Sequence, residues 1–187
     1  MRLRVVGPAA IISACLVAQA SYADSLTRSI QDVTVISDAA GSSRVLIDVA
    51  SIGDLGNVAI SRATLTFTLS GSTGEGKVSL RLHPVTASWS PGSASWSSWS
   101  RPGGDFEVSV YTRTELDLGR SGTVSIDATP LLKEMVEGGM TTYGFLLTAD
   151  SGGGDGLSSD AIGRLQNLGS ATLELRYRQV PPKPRGA

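Results

Sequence analysis

Between residues 63 and 69 the side chains alternate, with Ala63, Leu65, Phe67 and Leu69 on one side of an extended backbone and Thr64, Thr66 and Thr68 on the other. A period of two belongs to a strand with one buried face, so this segment requires neighbouring strands and a second layer against its apolar side. The pattern recurs along the chain. Residues 44–49 put Val45, Ile47 and Val49 together and Leu46 and Asp48 opposite. Residues 77–85 send Val78, Leu80 and Leu82 inward and Ser79, Arg81 and His83 outward. Residues 172–178 send Leu173, Leu175 and Tyr177 inward and Thr172, Glu174, Arg176 and Arg178 outward. Weaker alternation marks residues 31–36 through Val33 and Val35, residues 106–111 through Phe106, Val108 and Val110, and Val124 with Ile126. Residues 143–148 are almost uniformly apolar, as a strand buried on both faces would be. Glycine-rich turns, such as residues 71–76 and 151–156, separate these runs.

One segment reads as helix. Thr129 is placed to cap it, Pro130 suits its first turn, Leu131, Leu132, Met135 and Val136 form an apolar stripe, and Gly138 or Gly139 ends it. Seven or eight short strands with one small helix predict an all-β fold, a jelly-roll-type antiparallel β-sandwich with one short inserted helix.

The N-terminus carries Arg2 and Arg4, an apolar run over residues 5–18, and small residues Ser21 and Ala23 around Tyr22. That is the layout of a signal peptide over residues 1–23, which leaves a single domain over residues 24–180 and a proline-rich tail over 181–187. The expected location is secreted or periplasmic. The alternative is a lipoprotein anchored through Cys15, since Ile12-Ser13-Ala14-Cys15 resembles a lipobox. Cleavage after Ala23 removes two of the 16 basic residues and no acid, leaving 14 against 17 acidic, a net charge of −3. No nucleic-acid footprint is visible in that balance. Cys15 is the sole cysteine, so the mature chain has no disulfide and must rely on a hydrophobic core. No apolar run after Ala23 approaches the roughly 20 residues of a transmembrane span.

The order of several short motifs resembles a known family. Arg44-x-x-Ile-x-Val49 precedes Ile60-Ser-Arg-Ala-Thr-Leu-Thr-Phe67, and a tryptophan pair follows in Val85-Thr-Ala-Ser-Trp89 and Ala94-Ser-Trp96. Val124-Ser-Ile-Asp-Ala-Thr129, Tyr143-Gly-Phe-Leu-Leu147 and Ala171-Thr-Leu-Glu-Leu-Arg-Tyr177 come later. Residues 44–178 are in this respect similar to the DNRLRE-domain family of secreted β-sandwiches, some of which are carbohydrate-binding modules for acidic polysaccharides such as alginate. The family's opening Asn-Tyr/Phe-Gly segment has no counterpart before Arg44, and Gly169 or Ser170 stands where its proline precedes the last strand.

Residues 86–102 hold every tryptophan of the chain, Trp89, Trp96 and Trp99, among serines, prolines and glycine. Such rings either dock on a core or face a ligand. Trp89 follows an inward-alternating strand and matches the family's first tryptophan, so the resemblance implies that it lies in the core and that Trp96, as the second, is half-buried; Trp99, without a clear family counterpart, is expected to face a ligand beside Arg101. Pyranose faces stack on aromatic rings, and arginine forks hold carboxylates in paired hydrogen bonds. The candidate carbohydrate-binding residues are therefore Trp99, Arg101, Trp96, Arg81, Arg176 and Arg178; the competing reading is that these arginines only keep a β-surface soluble and its edges unpaired.

Other chemistries find less support. Histidine-centred catalysis would have to use His83, the single histidine, which is expected to be an exposed strand residue with no nucleophile elbow anywhere. None of Asp48, Asp105, Asp117 and Asp127 lies in a setting that suggests a raised pKa, and Asp127 is expected to accept backbone N–H groups where strand turns into helix. Asp150, Asp155 and Asp160 flank a glycine-rich loop and are the one calcium candidate; no cofactor is otherwise implied. The expectation is a secreted, non-catalytic module that binds extracellular or cell-surface polysaccharide, with a structural or adhesive envelope or matrix protein as the alternative and a polysaccharide-degrading enzyme third.

Overall fold

The structure, a computed structural model, describes residues 24–49, 55–71, 76–150 and 156–181. The signal-peptide and Cys15 expectations, Asp155 and most of the tail fall outside these residues. Eight strands run in order: β1 (Asp24–Ser37), β2 (Ser43–Val49), β3 (Val58–Leu69), β4 (Lys77–Pro84), β5 (Thr112–Asp117), β6 (Gly122–Asp127), β7 (Phe145–Ala149) and β8 (Thr172–Gln179). Every pairing is antiparallel. Among the described residues, two short helices, α1 (Thr129–Val136) and α2 (Ser159–Arg164), and a 3-10 turn (Gln166–Ser170) accompany the strands in an all-β fold.

The pairing is nested: β1 lies against β8, β2 against β7, β3 against β6 and β4 against β5. β1 belongs to two ladders. Its first half pairs with β8, from Asp24 opposite Tyr177 to Ser29 opposite Thr172, and its second half pairs with β2, with a register shift between Ile30 and Asp32. The first sheet thus runs β1-β8-β3-β6 and the second β1-β2-β7-β4-β5, joined through the shared strand. One core cluster draws Leu65, Phe67, Ile126, Leu173 and Leu175 from the first sheet and Val45, Ile47, Leu80, Phe145 and Leu147 from the second. The alternations of residues 44–49, 63–69, 77–85 and 172–178 put the expected side chains into this core.

Three expectations need correction. Residues 106–111 form no strand apart from a single bridge between Phe106 and Val85; Val108 and Tyr111 are exposed, and the strand is β5, which begins only at Thr112. Thr129 does not cap α1, whose N-cap is Ala128 without a side-chain bond. Instead the Thr129 hydroxyl accepts from the Ala63 amide at 2.9 Å and so ties the helix start to β3. Helix is also more frequent than the single expected segment: the Ser158 hydroxyl accepts from the Ala161 amide and starts α2. Asp127 behaves as expected, its carboxylate accepting the Thr129 amide at 3.0 Å.

A second, smaller cluster lies on the outer face of the second sheet. Ile36, Leu46, Val85 and Leu146 are buried there under Trp89, Ala94, Trp96, Trp99 and Phe106. β2 and β7 are therefore buried on both faces, one by the main core and the other by the residues that link β4 to β5. No helix among the described residues is long and apolar enough to cross a membrane.

Candidate functional site

The tryptophan-bearing segment owes its shape to its serines. Ala94 N and Ser93 N donate to the Ser90 carbonyl at 3.0 and 3.1 Å, the Ser90 and Ser93 hydroxyls lie 2.7 Å apart, and the Ser98 hydroxyl both accepts from Ser95 N and donates to Ser95 O at 2.9 Å. These are turns closed by short side chains. Asp105 finishes the segment: its carboxylate accepts the amides of Ser100 at 3.0 Å and Arg101 at 2.9 Å. Burial alone would raise its pKa, but these two amides, the Ser100 side chain and the nearby Arg101 charge outweigh that and hold it below the ordinary carboxylate value.

All three tryptophans pack on the second cluster, half-buried, so the expected division among them holds only for Trp96. Trp89 is not in the main core; its indole N–H donates to the Tyr143 carbonyl at 2.7 Å. Trp99 is not an open platform, because its ring lies on the cluster with its indole nitrogen shielded from water.

A row of rings, with guanidinium groups set among them, then crosses the outer face. The Arg44 guanidinium lies 4.9 Å from the Trp96 ring centre and 5.4 Å from that of Phe106. His83 follows, 4.8 Å from Phe106 and 5.5 Å from Tyr111, and Arg81 stands 5.0 Å above the Tyr111 ring. Arg101 approaches Phe106 from its own side at 6.0 Å and donates to the Phe106 carbonyl at 3.0 Å. His83 is thus 3% exposed rather than an exposed strand residue, because residues 106–111 cross over its outward-facing side.

At the end of this line Asp150 is held by two arginines, Arg81 at 2.6 Å and Arg113 at 2.8 Å. Arg81 and Arg113 are direct partners across β4 and β5, and the Arg113 Nε also donates to the Ser79 hydroxyl at 2.6 Å. A carboxylate shared by two guanidinium groups is poorly placed to serve calcium. Asp160 lies exposed in the first turn of α2, and no group of three metal-ligating side chains occurs among the described residues.

Four of the six predicted carbohydrate residues, Trp96, Trp99, Arg101 and Arg81, therefore share the outer side of the second sheet. Arg176 and Arg178 do not join them; they project from β8 on the outer face of the first sheet, with Arg176 directly opposite Arg62 of β3. Sequence reading missed Arg44, Phe106, Tyr111 and Arg113. Arg113 was hidden because β5 has one core-facing apolar residue, Leu116, and so carries almost no alternation.

Asp48 also departs from expectation. It faces Asp32 across the β1–β2 pair, and burial first and the Asp32 charge second raise its pKa above the usual 3.8. No family model matches the chain, and no curated protein matches it significantly.

Proposed function

We propose that this chain is a secreted, non-catalytic β-sandwich module of jelly-roll type that binds extracellular or cell-surface polysaccharide, acidic chains above neutral ones. The nested strand pairing supports the architecture, and the basic, apolar and small-residue layout of residues 1–23 supports export. Membership of the DNRLRE-domain family belongs to the same reading and rests on the order of the motifs.

The observation that carries the ligand class is the row of rings on the second sheet with guanidinium groups set among and beside them. Tyr111, 42% exposed, offers a ring for a pyranose face; Arg113, the cross-strand partner of the Arg81 that stands over this ring, and Arg101, farther along at Phe106, are the exposed forks. Stacking with charge-assisted hydrogen bonds is the chemistry by which a sugar carboxylate is recognised. The half-buried tryptophans are the frame that fixes these groups. Arg176 and Arg178 are left out of this site.

Affinity electrophoresis through gels containing a polyuronate or a neutral polysaccharide tests the reading. Retardation by the polyuronate, reduced at least tenfold in affinity in an Arg101→Ala, Arg113→Ala double variant, is the expected result. Absence of retardation on every polymer would sink it, and release of reducing or unsaturated ends would move the protein to the polysaccharide-degrading class. A structural role in an envelope or matrix has its own support: β5 and β6 stand at the ends of the strand order and, among the described residues, each pairs on one side only, which leaves edges for another chain.

A further inference from the structure

Where β2 ends and β7 begins, the segment that follows α1 lines a cleft of about 580 Å³. Met135, Met140, the fully buried Phe145 and Tyr143, 42% exposed, line it. Gln31, Thr141 and Thr142 add uncharged polar groups, and Asp48 is the one charged residue among the described residues of the lining. The cleft is distinct from the ring-and-arginine surface, although it touches the same framework through the Tyr143 carbonyl bound by Trp89.

We propose that this cleft binds an organic ammonium group carried on an apolar body, with Asp48 as the counter-charge and Tyr143 and the two methionines as the walls. The charge argument starts from β1 and β2. Asp48 and Asp32 are direct cross-strand partners, and among the described residues neither forms an ion pair with a basic side chain. Like charges placed opposite each other destabilise a sheet, and a bound cation relieves that repulsion.

The walls select the kind of cation. Thioethers and an aromatic ring are poor partners for a calcium or magnesium ion, which takes six or more oxygen ligands or keeps its water. They are good partners for an alkyl body, and the face of a tyrosine attracts an ammonium group in addition. The raised pKa of Asp48 agrees with a carboxylate that lacks a cation and would gain one on binding. The inference does not rest on the polysaccharide reading, since a free amine and an amino-sugar unit present the same ammonium group.

Isothermal titration of the full chain separates these sources with two probe pairs: hexylammonium against 1-hexanol, and a glucosamine trisaccharide against its N-acetylated form. Binding of either cationic probe, at least tenfold tighter than its neutral counterpart and weakened at least tenfold by Asp48→Asn, is the expected result. Whichever pair responds identifies the source. Equal binding of charged and neutral probes, or no binding of either cation, overturns the proposal, as does an Asp48→Asn variant that binds like the parent. Tyr143→Ala gives a second measurement at an exposed side chain and should weaken the cation at least threefold; an unchanged affinity there also counts against the cleft.

Discussion

The guanidinium of Arg44 is held between two different demands: it lies 4.9 Å from the Trp96 ring centre and donates to the Gly103 carbonyl at 2.8 Å. One residue of β2 thus fixes both the ring and the backbone that returns beneath it. Gly103 itself has φ +87°, and a Cβ there would come within 2.5 Å of Arg44 Nη1 and 3.0 Å of the Trp96 ring, so glycine is what lets the three approach. Arg44→Lys keeps the charge but loses the planar face and the fork. The expected outcome is a loss of about 1 kcal/mol in urea unfolding, with a red shift of tryptophan emission in the folded state.

Trp89 and Tyr143 provide a second check on the same segment. Trp89→Phe keeps most of the apolar contact with the second cluster and removes the indole donor from the Tyr143 carbonyl. A fall of about 1 to 2 kcal/mol is expected, that of one hydrogen bond and its unpaired partner. A variant as stable as the parent would mean that water replaces the indole.

Asp105 makes a prediction with a pH sign. Its carboxyl is held below the ordinary value, so the stabilisation is present above the unfolded pKa of about 4 and is lost as pH falls through the lower folded pKa. Asp105→Asn should therefore lower the thermal midpoint at pH 7 and converge with the parent in strong acid. Hydrogen exchange at the Ser100 and Arg101 amides should accelerate at the same time.

Asp48 gives the opposite sign. Its pKa is raised, so the native state holds the proton more tightly than the unfolded chain. That contribution is complete below the unfolded pKa and disappears as pH rises through the folded one. Asp48→Asn should thus move the urea midpoint upward at pH 7 and leave it nearly unchanged at pH 3. A lower midpoint at pH 7 would show that the carboxylate has a cationic partner in the native protein.

Gly144 joins the segment after α1 to β7 at φ +106°, where an added Cβ would meet the Ile47 carbonyl oxygen at 2.3 Å. Gly144→Ala should cost about 3 kcal/mol or more, from positive-φ strain together with a backbone collision. Circular dichroism on heating is sufficient to read it.

The strands that were legible in the sequence are those with one buried face. Val45, Ile47 and Val49 entered the core as their spacing requires, and so did Leu65, Phe67, Leu173 and Leu175. The alternation places Leu46 on the outer face, where it lies, but carries no sign of its full burial, because the cover comes from residues more than forty positions away. The same cover explains His83. β5 was illegible for the reverse reason: it presents Thr112, Arg113, Thr114 and Glu115 before Leu116, and an edge strand with so little apolar surface has no period to detect. α2 contains Gly163 and lasts six residues, too short for an amphipathic stripe. The candidate site was half legible, since composition singled out the tryptophans and arginines, whereas the strand order that parts Arg81 from Arg176 is a long-range property.

β1 begins beside the end of β8, with Asp24 opposite Tyr177, and from that point the two strands lie side by side as far as Ser29 and Thr172. A load applied between the two ends of the fold would act on their hydrogen bonds one at a time, from Asp24–Tyr177 to Ser29–Thr172, as in unzipping, and not on all six pairs together as in shear. Held by one end, the domain transmits no force through this ladder. Held by both, it opens first along the seam that β1 shares with β8, while the second sheet and its tryptophan cover keep their pairing.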